Sequence, residues 1–122
     1  MPVYNQRDVI LVKFPFTDIT GFKLRPAIVV SNNVVNSTDD IIVVMSTTQA
    51  VPALYRVLVD NTFVDVPFKG VGTMNANCKK IAVLHKNIVQ KKITRISVFA
   101  KFFSIIYFFK SFFIYLFFYF FF

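Results

Sequence analysis

Three short apolar runs, Val9 to Phe14, Ala27 to Ser31 and Ile41 to Met45, most constrain what this chain can fold into. The third is β-branched at four of its five positions, and branching at Cβ suits a pleated surface. The first is apolar over Val9 to Val12 and again at Phe14, with only Lys13 between, a continuity that suggests a strand buried on both faces. Turn signals separate the runs: Pro15 and Gly21 after the first, and the polar stretch Asn32 to Asp40 after the second. Pro52 marks a loop after the third run. Leu54 to Val59 then alternates, with Arg56 on one face, and a long connection from Asp60 to Gly72 leads to two strand-like pieces, Thr73 to Lys79 and Ile81 to Leu84. Many short strands with little helix predict a small barrel or a strongly bent sheet. From Asn87 the period changes: Ile93, Ile96, Ala100 and Phe103 recur at spacings of three and four, which predicts a C-terminal helix.

With 122 residues the chain supports one domain, and its apolar tail leaves about a hundred residues for the core. The net charge of +8, with no glutamate, favours a polyanionic partner, because Lys and Arg beside phosphates release counterions and steer association. A single cysteine, Cys78, forms no internal disulfide and fits a reducing cytoplasm. Charged residues arrive by Arg7 and Asp8, unlike a secretory leader.

The first polar loop ends in Arg25-Pro26. Proline fixes its own φ and biases the preceding residue toward an extended conformation, so Arg25 is expected at a defined point on the rim of the sheet. The ordered run Asp8-Val9-Ile10-Leu11-Val12-Lys13-Phe14-Pro15-Phe16-Thr17-Asp18, followed by Gly21, Lys23 and Arg25-Pro26-Ala27-Ile28-Val29-Val30-Ser31-Asn32, resembles the opening of the MazF/PemK family. These are ribosome-independent endoribonuclease toxins of bacterial toxin–antitoxin modules. Ser46-Thr47-Thr48-Gln49 is similar to the family's Thr-Ser-Gln or Thr-Ala-Gln element, a weaker echo runs from Gly72 to Ser97, and the likeness ends before the last twenty or so residues. The resemblance implies an SH3-like barrel with a closing C-terminal helix, a homodimer without a cofactor, single-stranded RNA as substrate, and a cognate antitoxin through which the complex meets DNA.

RNA needs no metal for cleavage if its own 2′-hydroxyl attacks the adjacent phosphorus and expels the 5′-oxygen. The protein must then align the nucleotide and neutralise charge on the phosphoryl oxygens. A guanidinium such as that of Arg25 forks onto two phosphate oxygens, and a hydroxyl such as that of Thr47 donates to the same group. By resemblance, Arg25 and Thr47 match the family's two catalytic positions. Ser46 or Thr48 would take the second role if the register slipped by one, but Gln49 favours Thr47. Lys13, Lys23, Arg56, Lys69, Lys79 and Lys80 are candidate backbone contacts. Phe16, Phe22 and Tyr55 offer stacking faces, and Thr17, Thr48 and Gln49 complete the candidate RNA-binding set. Taken singly, Arg25 reads as a solvated rim charge and Thr47 as a β-branched strand end; the ordered motif is what unites them.

Other chemistries lack their residues. One Cys, one His and scattered aspartates give no metal-ligand spacing, so no metal site is expected. Gly70-Val71-Gly72 is too sparse for a phosphate loop, and a Ser-His-Asp hydrolase would lack its Gly-rich nucleophile turn. His85, beside the apolar run Ile81 to Leu84, reads as a strand-end residue and not as a proton carrier.

The segment 102–122, set apart from a barrel domain over 1–101, is almost entirely Phe, Tyr, Ile and Leu, with Lys110 its one charge. About twenty residues at roughly 1.5 Å each would cross a bilayer as a helix, although Lys110 near its middle would cost about 2.5 to 3.5 kcal/mol. Every abundant residue type in it is encoded by codons made only of A and T, so a frame slip into A/T-rich DNA is the preferred reading. A membrane anchor and a packed helix are the alternatives. Two further departures from the family pattern are Arg7, where the family usually has Gly, and Thr73-Met74 in place of an Asp-Ser or similar pair. The expectation is a cytoplasmic endoribonuclease toxin; the rival is a catalytically dead copy that still binds antitoxin or nucleic acid.

Overall fold

A computed structural model describes residues 3–15, 22–49, 56–60, 64 and 73–96, with the side chains of Phe14, Pro15, Phe22, Lys23, Asp60, Thr73 and Cys78 outside the description. Strands β1 (Asp8–Pro15), β2 (Phe22–Val29), β3 (Asp40–Thr47), β4 (Arg56–Asp60), β5 (Thr73–His85) and β6 (Val89–Arg95) form one antiparallel sheet in the order β4-β5-β3-β2-β1-β6. A four-residue helix, α1 (Asn33–Asn36), precedes β3, and a single 3-10 turn (Lys86–Ile88) joins β5 to β6. The sheet curls until its two edges approach: Val64, just after β4, bridges to Ile96, just after β6. The mainly β fold and small barrel expected from the sequence are what the chain adopts.

Alternation along each strand divides the apolar side chains between two cores. Val9, Ile28, Val30, Val44, Val57, Val59, Val64, Met74, Ala76 and Ile96 fill the barrel interior, with Ile93 of β6 packed against them. Ile10, Val12, Ala27, Val29, Ile41, Val43, Met45 and Leu84 point to the other face, where Tyr4 and Ile88 join them. That is why Val9 to Val12 of β1 read as a continuous apolar run: Val9 packs in one core and Ile10 and Val12 in the other.

Two irregularities make this possible. In β5, four residues, Asn77 to Lys80, stand opposite the single residue Met45 of β3, and the bulge reverses the alternation. Met74 and Ala76 face the interior before it, and Ile81 packs on the interior after it. The two strand-like pieces expected around Lys80 are one strand broken by this bulge. In β6, the register against β1 shifts twice, leaving Gln90 and Ile93 as extra residues. The spacing of Ile93 and Ile96 therefore imitates a helix although both belong to extended backbone, which corrects the helical reading for residues 89–96. Ala100, Phe103 and the closing helix expected there lie outside the described residues, as does the segment 102–122. Among the described residues no helix is long and apolar enough to cross a membrane.

The corner before β1 ties three elements together. Arg7 N–H donates to Val29 O at 2.8 Å, Arg7 O accepts from Ile96 N–H at 3.0 Å, and Arg7 has φ of 79°. A non-glycine residue there sets Cβ against its own backbone, which gives a physical reason for the glycine usual at this place. Next to it, the fully buried Asp8 carboxylate accepts from Asn5 N–H at 2.8 Å. Lys92 Nζ at 3.1 Å and Arg95 Nε at 3.9 Å supply compensating charge without well-aligned hydrogen bonds. Tyr4 lies close enough to feel this carboxylate: burial, and then the Asp8 charge, push its hydroxyl above the ordinary value of 10.0.

Two outcomes follow for stability. Arg7→Gly should be more stable than Arg7→Ala by about 1 kcal/mol in urea denaturation, because both lose the side chain and only glycine relaxes the positive φ; equal stabilities would show that no strain resides there. The fold favours the protonated form of Tyr4, so its contribution is complete below pH 10.0 and is lost as pH rises through the raised folded value. The stability difference between the wild-type chain and Tyr4→Phe should therefore change only in that alkaline range, and a constant difference at all pH values would refute the coupling.

Candidate functional site

Arg25 is not in the loop before the second strand, as the sequence suggested, but inside β2, facing Val12 of β1. The strand starts earlier than expected because Phe22 to Pro26 pair with β1, and the N–H that Pro26 lacks would have faced β3. On the other side of β2, the ladder to β3 runs only from Val29↔Val43 to Ala27↔Met45. Carried two residues past that last pair, the same register brings Arg25 level with Thr47. The β2–β3 ladder thus ends at Ala27, and its register, carried on, puts a cation and a hydroxyl at facing positions beyond the last pair.

Period-two alternation puts both side chains on one face. Arg25 follows Ala27 and Val29, and Thr47 follows Met45 and Val43, all in the outer apolar cluster. Arg25 and Thr47 are half-buried at the rim of that cluster. Ser46, by contrast, faces the barrel interior and is buried, with an Oγ that lacks a hydrogen-bond partner, and Thr48 lies exposed beyond the end of β3. Thr47 Oγ1 accepts from Gln49 N–H at 3.1 Å, which uses one lone pair and leaves the hydroxyl hydrogen for another acceptor.

The strip continues onto residues the sequence did not single out. Thr47 pairs with Asn75 of β5, Asn75 pairs with Leu58 of β4, and beside them Asn77 pairs with Arg56. Asn75 Nδ2 donates to Gln49 O at 2.9 Å, holding the turn after β3 against β5, while its buried Oδ1 has no partner. The signal was available in Thr73 to Asn77, where Asn75 and Asn77 alternate with the apolar Met74 and Ala76.

The remaining candidates scatter. Arg56, Lys79 and Lys80 are exposed, the lysines within the β5 bulge next to Arg56. Lys13 is exposed but alternates with Val12, so it falls on the face opposite Arg25. Phe16, Thr17, Tyr55 and Lys69 lie outside the described residues, and Phe22 and Lys23 are described in backbone only. His85 sits at the far end of β5, paired with Asp40 where β3 begins, and its Nδ1 accepts from Asn87 N–H at 3.1 Å to cap the 3-10 turn. Among the described residues no three His, Cys, Asp or Glu side chains gather where they could hold a metal ion.

Comparison with known proteins adds three findings. Residues 5–99 match the family described as "PemK-like, MazF-like toxin of type II toxin-antitoxin system". Comparison with curated proteins finds no match. Among solved structures, the Mycobacterium tuberculosis toxin MazF-mt6 superposes with a TM-score of 0.66 at 12% identity, covering 86% of this chain and 94% of its own. An endoribonuclease in complex with its cognate antitoxin, from a mycobacterial species, gives a TM-score of 0.62 at 19% identity, with 88% of this chain and 92% of that chain covered. An endoribonuclease from a mycobacterial species gives 0.62 at 19% identity, with 91% of each chain covered. At these identities the likeness is one of fold.

Proposed function

Because the chain belongs to the PemK-like, MazF-like family of type II toxin–antitoxin toxins, we propose that it is an endoribonuclease that cuts single-stranded RNA by metal-independent transesterification. The observation that supports this reading is the register of β2 and β3, whose continuation past Ala27↔Met45 would set Arg25 level with Thr47 on one face. In the reaction the 2′-oxygen loses its proton and bonds to phosphorus, the bond from phosphorus to the 5′-oxygen breaks, and that oxygen takes up a proton. The products are a cyclic phosphate and a free 5′-hydroxyl. The Arg25 guanidinium neutralises charge growing on the non-bridging oxygens, and Thr47, its hydroxyl steadied by Gln49, orients the same phosphate.

The same basic face suits an acidic antitoxin segment, which would cover Arg25 and exclude RNA; a solved relative of similar fold is an endoribonuclease in complex with its cognate antitoxin. We assign the chain a homodimeric, cytoplasmic state on the family's pattern, with DNA met only through the antitoxin complex.

Purified protein given a fluorogenic RNA in excess chelator tests the reading. Cleavage should persist in chelator, fall at least about 100-fold in Arg25→Ala, and fall about 10- to 100-fold in Thr47→Val, as expected when a charge-stabilising group and a hydrogen bond to a charged group are removed. RNA binding with no cleavage by the wild-type chain would instead identify a catalytically dead binding module.

A further inference from the structure

The β5 bulge is not used by the reaction just described. Four residues opposite one leave Lys79 and Lys80 exposed, and Lys79 N–H turns back onto Asn77 Oδ1 at 3.1 Å, which shapes the bulge locally. Asn77 in turn pairs with Arg56. Three cations thus collect where β4 meets β5. From Arg25, β5 with its two lysines lies two inter-strand steps of about 4.8 Å away and Arg56 on β4 three, or about 10 to 14 Å.

We infer that Arg56, Lys79 and Lys80 form a second phosphate anchor for the RNA strand whose scissile phosphate lies at Arg25. The inference rests on the endoribonuclease reading for its ligand. A stacked single strand rises about 3.4 Å per nucleotide, so about three to four nucleotides separate the two anchors. What lies between them suits bases. Asn77 is half-buried, its Oδ1 held by Lys79 N–H, and its amide Nδ2 is a donor that a base edge can accept from, while Asn75 beside it holds Gln49 O. Leu58, 46% exposed on the same face, gives a base an apolar surface to lie on. An acidic peptide needs donors only; a strip with cationic ends and an amide-and-leucine middle matches alternating phosphates and bases better.

The test uses labelled 2′-O-methyl RNA of mixed sequence, which cannot be cleaved, in lengths of about three and about eight nucleotides, with affinity followed from about 50 to 200 mM salt. On the longer probe the triple variant Arg56→Gln/Lys79→Gln/Lys80→Gln should reduce the slope of log K against log salt by about 2, at about 0.7 for each phosphate no longer neutralised, while the short probe shows a smaller change. Lys79→Arg/Lys80→Arg should keep the wild-type slope. An unchanged slope in the triple variant overturns the anchor. So does a triple variant that loses affinity for polyglutamate but not for the oligonucleotide, because the partner would then be an acidic protein. Chelator-resistant cleavage is measured on the same preparations with Arg25→Ala as control. A slope change without any Arg25-dependent cleavage supports the anchor and sinks the nuclease; cleavage with an unchanged slope does the reverse.

Discussion

An open antiparallel sheet leaves two rows of unpaired backbone groups, and this one shortens that exposure by curling until Val64 meets Ile96. The curl requires strands that bend, and the bends come from extra residues: Asn77 to Lys80 in β5, and Gln90 and Ile93 in β6. Once closed, the barrel interior takes valines, isoleucines and methionine from all six strands and the two bridging residues. The outer face of β1, β2 and β3 carries a second apolar cluster, so these strands are clamped from both sides. Their ends are rigid supports for whatever side chains they carry.

Pro26 acts on this frame at one point. Its φ suits the extended strand, but its missing N–H fits the end of the β2–β3 ladder at Ala27. Were the ladder to continue, Arg25 and Thr47 would be an ordinary cross-strand pair, with their backbones tied. The ladder instead ends there, and Thr47 satisfies a local donor, Gln49 N–H, while Asn75 holds Gln49 O from the other side.

How much of this was legible in the sequence depended on whether alternation survived. It did in Ile41 to Met45, so β3 and its end at Thr47 could be read directly. In β6 two bulged residues turned a strand into an apparent helix, because a hydrophobic spacing of three or four reports which side chains share a face, and a bulge alters that mapping as a helix does. The stretch Asn32 to Asp40 read as a polar loop, yet Asn32 accepts from Val34 and Val35 N–H and caps α1. Beneath it, Asn36 Nδ2 donates to Ser31 O and Ser31 Oγ accepts from Ile42 N–H, while Lys86 Nζ donates to Asn36 O. The Asn cap was visible; that Ser31 and Asn36 are buried was not, because burial is decided by β3 folding across them. Of the proposed site, Arg25 and Thr47 came from an ordered motif, whereas the alternation of Thr73 to Asn77 gave Asn75 a face but not its neighbour, which needed the pairing of β3 with β5.

The cations of this face occupy two electrostatic settings. Arg25 is half-buried on the face that carries Val12, Ala27 and Met45, apolar surroundings that weaken solvent screening of its charge. Arg56, Lys79 and Lys80 are exposed, where salt at physiological strength screens charges over about 8 Å. In the proposed reaction these settings divide the work. The exposed cations raise the local concentration of a polyanion and hold it, an effect that fades with salt. The half-buried one faces a phosphate at contact distance, where its attraction is set by the local environment and only weakly by bulk ions. It follows that ionic strength should act mainly on the amount of RNA bound and far less on the rate at which bound RNA is cut. The apolar cluster beside Arg25, which looks like simple core, is thereby part of what a guanidinium needs to stabilise charge that appears only as the bond breaks.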